Sequence, residues 1–130
     1  MFRIYKRAIG DVEPFEYLPG AEELTPGSAA KVASGALAKC GAADKPFCIV
    51  AGPKREDGNY PVIRALPTTI FETEASGAVT ADKVGTTLQL NEAADGVTTT
   101  ANGPFTVTWA DGGALVRGYF EEVPAAEASE

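Results

Sequence analysis

Residues 105–120 have the sequence FTVTWADGGALVRGYF, which is the clearest hairpin pattern of the chain. In its first half, apolar side chains alternate with threonines, the period of a strand with one buried face, at Phe105, Val107 and Trp109. The Asp-Gly-Gly that follows supplies the positive φ angles that a tight turn needs. In its second half, alternate residues again face opposite ways: Leu115, Arg117 and Tyr119 on one side, Val116 and Phe120 on the other. The stretch therefore predicts an antiparallel β-hairpin.

Turn signals of the same kind recur along the whole chain. Glycine follows a turn-forming residue at positions 19–20, 26–27, 34–35, 57–58, 76–77, 95–96, 102–103 and 111–112. The content of 14 Gly and 9 Pro agrees with frequent turns, because both residues disfavour helix interiors. Short segments between such turns are typical of all-β folds. We therefore predict a mostly β fold, a small β-barrel or β-sandwich with long loops.

Besides the hairpin, the patterns predict six strands: Phe2–Lys6, Phe15–Leu18, Phe47–Ala51, Tyr60–Leu66, Ile70–Glu74 and Val84–Leu90. Pro61 lacks an amide donor, so we expect it at a strand start or on a sheet edge. The polar, Thr-rich residues 91–103 predict a long exposed loop. Residues 28–40 leave two alternatives open, a helix capped by Ser28 or two short strands that meet at Gly35. The glycine costs a helix about 1 kcal/mol relative to alanine and favours the strands.

The chain has 130 residues, which suits a single core. We expect residues 14–123 to form the β domain. Residues 1–13 carry Arg3, Lys6 and Arg7 and predict a flexible basic N-terminal arm. Residues 124–130 consist of Pro, Ala, Ser and Glu and predict a disordered acidic tail. The oppositely charged ends fit two solvated termini or an arm that docks on a charged partner.

Charge and composition argue against several classes of partner. The net charge of −7 repels phosphate groups, so we expect neither nucleic acid nor an anionic membrane as a partner. No apolar run suits a signal peptide or a membrane helix, so we expect synthesis and folding in a cytoplasm. Cys40 and Cys48 are the two cysteines, and we expect buried thiols, although a disulfide between neighbouring strands stays open.

Residues suited to catalysis are scarce. The chain has no His, no Gly-x-Ser-x-Gly elbow and no phosphate-binding or calcium-binding loop. Glu72 and Glu74 share one face of a predicted strand, which fits a solvated face better than an acid–base pair. Trp109, Tyr119 and Phe120 fit core packing better than a ligand platform. We therefore expect no catalysis, no cofactor and no metal.

Three pairs of short stretches, taken in order, resemble a known class of protein. They are EYLPG (16–20) with LTPGSA (24–29), SGALAK (34–39) with KPFCIV (45–50), and YPVIRA (60–65) with IFET (70–73). This order is similar to that of small proteins encoded among the head genes of tailed bacteriophages and prophages, in the head-decoration or capsid-stabilising class. The resemblance covers about residues 14 to 122. It implies a β-rich body, often a trimer, bound to the major capsid protein on the outside of the virion, without catalytic residues.

The basic start and the Pro/Gly-rich loop at residues 19–27 suggest where a partner would bind. We expect the contact residues to be Phe2, Arg3, Tyr5, Lys6, Arg7, Tyr17 and Pro19. Two other functions stay open at this point. One is another phage structural or tail component, and the other is a carbohydrate-binding β module.

Overall fold

The computed structural model describes residues 1–7, 16–20, 23–33, 35–67 and 69–121. In these residues the chain forms eleven β-strands and one turn of 3-10 helix. The strands pair into two antiparallel sheets in a sandwich-like arrangement, so the mostly β prediction is confirmed. The sheets are not closed into a barrel. The predicted acidic tail, 124–130, and residues 8–13 of the predicted arm lie outside the described residues.

The bounds of the strands fix the two sheets. They are β1 (Arg3–Arg7), β2 (Glu16–Pro19), β3 (Ala29–Ala33), β4 (Ala36–Lys39), β5 (Cys48–Val50), β6 (Asn59–Arg64), β7 (Thr69–Glu74), β8 (Thr87–Leu90), β9 (Val97–Ala101), β10 (Phe105–Ala110) and β11 (Leu115–Phe120). The larger sheet has the order β1-β7-β11-β10-β8-β9, and the smaller sheet has the order β2-β6-β5-β3-β4. The 3-10 turn, Ala81–Lys83, precedes β8.

Two local predictions are confirmed. The hairpin at residues 105–120 is the pair β10 and β11. Residues 28–40 form two paired strands rather than a helix, β3 and β4, and the turn between them contains Gly35 with a φ of +82°. Only glycine adopts that left-handed conformation without a steric penalty, so the residue that argued against a helix also makes the turn.

The prediction of an exposed loop at residues 91–103 is wrong, because this segment contains β9. Ala94 and Val97 are fully buried, and Val97 pairs with Leu90 across β8 and β9. Ala94 and Val97 therefore reach the core from the Thr-rich sequence, while Thr98 is partly buried and Thr99 and Thr100 are exposed. Burial of these few side chains outweighs the polar average of the segment.

The strand predicted at Val84–Leu90 begins later than expected, at Thr87. Gly85 has a φ of +93°, which a strand does not contain, and the chain turns there. The amide of Gly85 donates to the carbonyl of Val107 at 2.8 Å, so the turn is attached to β10. The apolar Val84 is exposed as a result.

Residues 1–7 belong to the sandwich, which corrects the prediction of a separate N-terminal arm. β1 pairs antiparallel with β7, as the predicted strand at Phe2–Lys6 requires. Phe2 is 2% exposed, and its amide donates to the carbonyl of Gly27 at 2.8 Å. Burial of the Phe2 ring stabilises the fold, and this gain outweighs the tendency of the basic residues beside it to stay in solvent. The first residues therefore join the sandwich although the segment is basic.

Four phenylalanines form the centre of the core between the sheets. Phe2 and Phe120 each contact the other three rings of the group Phe2, Phe71, Phe105 and Phe120, with ring centroids 5.3 to 6.5 Å apart in tilted or edge-to-face pairs. Gly118 makes room for them, because a β-carbon there would lie 2.8 Å from the Phe105 ring. The cluster thus joins the chain start, β7 and the hairpin.

The smaller sheet buries both of its faces. One face packs Ala29 and Ile49 against the core of the larger sheet. The other face carries a second cluster, made of Leu24, Ala30, Leu37, Phe47, Cys48, Val50, Tyr60 and Val62. An isolated bridge between Gly20 and Leu37 brings the ends of β2 and β4 together, so the sheet curls around this cluster.

The two cysteines are buried thiols, as expected, and the fold keeps them apart. Cys40 follows β4 and belongs to the main core, whereas Cys48 begins β5 and belongs to the second cluster. β3 lies between β4 and β5, so two strand spacings, about 10 Å, separate their backbones. A disulfide needs Cα atoms within about 7 Å. Burial raises the pKa of the Cys40 thiol to about 12.

Neither thiol should react with Ellman's reagent in the native protein, because the thiolate is the reactive form and both side chains are buried. We expect no colour in mildly alkaline native buffer and two reactive thiols per chain in guanidinium without reductant. Rapid reaction of either thiol in native buffer would contradict the burial described.

Replacing Phe2 by alanine should destabilise the protein by about 3–5 kcal/mol, because it opens a cavity in the phenylalanine cluster. Ile4→Ala is the matched control, since Ile4 lies two residues after Phe2, on β1, but is 38% exposed. Urea unfolding of both variants gives the comparison. Equal losses of stability in the two variants would show that β1 is not anchored through Phe2.

Candidate protein-binding face

A β-bulge in β10 turns Trp109 away from the core. The register against β11 shifts between Val107 and Trp109, and the buried residues of the strand are Phe105, Val107 and Ala110. An extra residue in a strand reverses the facing of every residue after it. The prediction that Trp109 packs in the core is therefore wrong, because its ring lies half-buried on the outer face of the larger sheet.

Arg117 stacks with two aromatic rings on this outer face. Its guanidinium carbon lies 3.8 Å from the ring centroid of Tyr5 and 4.2 Å from that of Trp109. Since β1 and β10 lie on opposite sides of β11, the two rings come from different parts of the sheet. Tyr5 stands at a register shift in β1, so both aromatic residues stand next to bulges. Each cation–π contact contributes about 0.5–1 kcal/mol at such a site.

Two carboxylates connect this stack to the edge of the sheet. Glu72 accepts a hydrogen bond from Nε of Arg117 at 3.0 Å and another from Nε of Arg3 at 3.2 Å. Glu74 accepts from Nη2 of Arg3 at 2.8 Å. The strand register explains the arrangement, because Glu72 stands opposite Arg3 on β1 and opposite Arg117 on β11. We call the six residues the stacked face: Arg3, Tyr5, Glu72, Glu74, Trp109 and Arg117.

The arginines fix the charge of both carboxylates. The hydrogen bond from Arg117, followed by that from Arg3, holds the pKa of Glu72 below its ordinary value. The hydrogen bond from Arg3 lowers the pKa of Glu74 in the same way. Exposed ion pairs contribute little one by one, but this network holds long side chains in place before any partner binds. The stacked face is therefore an ordered surface of alternating charge with aromatic rings.

The residues predicted to bind a partner divide among three places. Phe2 lies in the core and cannot contact a partner, which corrects that prediction. Arg3 and Tyr5 belong to the stacked face, and Lys6 and Arg7 continue β1. Tyr17 and Pro19 lie on β2, an exposed edge of the smaller sheet. The predicted set is thus divided between edge strands of two different sheets.

The β2 edge carries a smaller stack of the same kind. The guanidinium carbon of Arg55 lies 4.4 Å from the ring centroid of Tyr17, which is 41% exposed. Pairing of β2 with β6 places the tyrosine opposite Pro61. None of the salt bridges between described side chains lies on this edge.

Sequence reasoning did not find the role of Glu72, Arg117 and Trp109. One signal was present, since the alternation of Leu115, Arg117 and Tyr119 assigns Arg117 to the solvent face. Nothing in the sequence shows that β7 lies between β1 and β11, which is what brings Glu72 to both arginines. Apolar residues and threonines alternate through the bulge without a break, so the sequence pattern does not show that Trp109 points outward.

The described residues offer little else for chemistry. They contain no group of three or more His, Cys, Asp or Glu residues placed to hold a metal ion. In the same part of the chain, no helix has the length and apolar character for a membrane crossing. No model of a protein family matches the chain, and no curated protein matches it.

The carboxylates of the stacked face predict acid sensitivity. Because their folded pKa values lie below the ordinary value of about 4.3, they stabilise the fold above that pH, and the stabilisation is lost as the pH falls through the folded values. Tm should stay constant down to about pH 5 and then fall. Glu72→Gln should lower Tm near neutral pH and make the fall in acid shallower.

Glu56→Gln is the control for this measurement, since Glu56 lies in the exposed loop between β5 and β6. Its Tm should follow that of the unaltered protein at every pH. Superimposable Tm–pH curves for Glu72→Gln and the unaltered protein would show that the ion pairs do not stabilise the fold.

Proposed function

We propose that this chain is a structural protein of a bacteriophage virion, which binds the outside of the capsid and stabilises it without catalysis. Two things support the proposal: the resemblance to head-decoration proteins over residues 14 to 122, and the chemistry of the stacked face. Trp, Tyr and Arg are the residues that most often dominate protein–protein binding energy. The stacked face holds all three on one exposed sheet, and this observation carries the proposal.

The physical mechanism is attachment by a rigid surface. Stacking and ion pairing restrict Tyr5, Arg117 and Trp109 before binding, so less conformational entropy is lost when the major capsid protein docks. The proposed homo-oligomer, a trimer, would present several copies of the face at once. On a repeating shell, such multivalency converts modest contacts into firm attachment and clamps adjacent capsid subunits. The protein would be made in the host cytoplasm and reside on the virion surface.

A carbohydrate-binding module is the second candidate, because Tyr5 and Trp109 lie on an exposed sheet. Sugars stack on free aromatic ring faces. Here the guanidinium of Arg117 covers one face of each ring, which favours a protein partner. Another phage structural or tail component would use the same interface chemistry with a different partner.

The direct experiment mixes the purified protein with undecorated capsids of the phage or prophage whose head genes adjoin its gene. Cryo-electron microscopy should show added density on the outer shell surface at regular lattice positions. A shell without added density at saturating protein would contradict the proposal. Binding to a glycan array together with an empty shell would favour the carbohydrate module instead.

A pair of matched variants locates the contact. Tyr5 and Tyr17 are both exposed, at 51% and 41%, and each stacks on one arginine. We expect Tyr5→Ala to weaken capsid binding at least about tenfold, as truncation of an interface anchor does, and Tyr17→Ala to leave it unchanged. Capsid co-sedimentation measures occupancy, and circular dichroism confirms folding. The reverse result would place the contact on β2 and contradict the role of the stacked face.

A further inference from the structure

An apolar cleft lies at the other end of the larger sheet, between the segment before β8 and the edge strand β9. Its volume is about 100 Å³. The lining residues are Ala78, Val79, Lys83, Thr86, Leu88, Thr99 and Ala101. Val79 and Leu88 are nearly buried and form the floor, while the other lining side chains lie at the exposed rim or walls. The cleft shares no residue with the stacked face.

Backbone hydrogen bonds hold the outer wall of the cleft in place. The amide of Val79 donates to the carbonyl of Gly113 at 3.0 Å, and the carbonyl of Val79 accepts from the amide of Gly112 at 3.0 Å. At the other end, the amide of Val107 donates to the carbonyl of Thr86 at 3.0 Å. The wall is attached to the β10–β11 hairpin at both ends, so the cleft is formed before a ligand arrives.

The rim of the cleft carries one positive charge. Lys83 makes no salt bridge with any residue that the structure describes. Its neighbour Asp82, which accepts a hydrogen bond from the hydroxyl of Thr80, interacts with it only through the longer-range attraction of their charges. A lysine stem adds to an apolar wall while its ammonium stays in water. An apolar floor with a cationic rim is complementary to a short aliphatic chain that ends in a carboxylate.

We propose that this cleft binds a short aliphatic carboxylate, with the chain on Val79 and Leu88 and the carboxylate at Lys83. A dry cavity of about 150 Å³ holds a benzene molecule, so the observed volume suits a chain of about three or four carbons. The same chemistry occurs in a free short-chain fatty acid and in the C-terminal valine of a polypeptide. For so small a ligand we expect binding in the millimolar range.

NMR titration of the ¹⁵N-labelled full chain tests the site. Butyrate should shift the amides of Val79, Thr86 and Leu88 to saturation, and butylamine, which has the same number of carbons and the opposite charge, should bind at least about fivefold more weakly. N-acetylvaline and its amide form the second pair of probes. The tighter of butyrate and N-acetylvaline identifies a free acid or a chain terminus as the source, and either outcome supports the site.

Variants test the contribution of the lysine charge and that of the apolar cleft separately. Lys83→Gln should weaken butyrate binding several-fold and abolish the preference over butylamine, and Ala78→Leu should fill the cleft and block both. Lys54→Gln, on an exposed loop of the smaller sheet, should change nothing. Absence of saturable shifts with either acid, or equal affinity for acid and amine in the unaltered protein, would overturn the proposal. Neither result bears on capsid binding, because the two surfaces share no residue.

Discussion

Phe2 packs against Phe71, Phe105 and Phe120, and this contact joins three parts of the chain that are distant in sequence. It brings the first residues onto the larger sheet and fixes β1 beside β7. A short edge strand gains little stability from its own hydrogen bonds. The buried phenyl ring adds the stability that those hydrogen bonds do not provide, since full burial of such a side chain contributes about 1.5–3 kcal/mol.

The outer face of the sheet follows from this inner contact. Side chains on a strand alternate between faces, so burial of Phe2 and Phe71 sends their neighbours Arg3 and Glu72 outward on adjacent strands. Arg117 meets Glu72 from the other side by the same rule. Next to the bulges, the rings of Tyr5 and Trp109 both contact the guanidinium of Arg117. The stacked face is thus an ordered surface because the core beneath it is ordered.

The sequence predicts the β class well, because frequent Gly-containing turns and period-2 alternation leave few other folds. It predicts the 105–120 hairpin and the strand pair at 28–40 for the same local reasons. It fails where one or two long-range contacts outweigh local composition. Val97 enters the core from a polar stretch, and Phe2 enters it from a basic one. Only part of the stacked face could be predicted from the sequence. Arg3 and Tyr5 were expected to bind a partner because they lie in the basic start, whereas the residues that contact them are brought there by the order of the strands.

We propose that the stacked face is the surface that meets a capsid. Hydroxyl-radical footprinting of the protein, free and on undecorated shells, tests it most directly, because exposed Trp and Tyr side chains are oxidised readily. Trp109 is the only tryptophan of the chain, so its oxidation is unambiguous. We expect Trp109 and Tyr5 to be protected on the shell, while Tyr17 is oxidised as before. Unchanged oxidation of Trp109 and Tyr5 on saturated shells would contradict it.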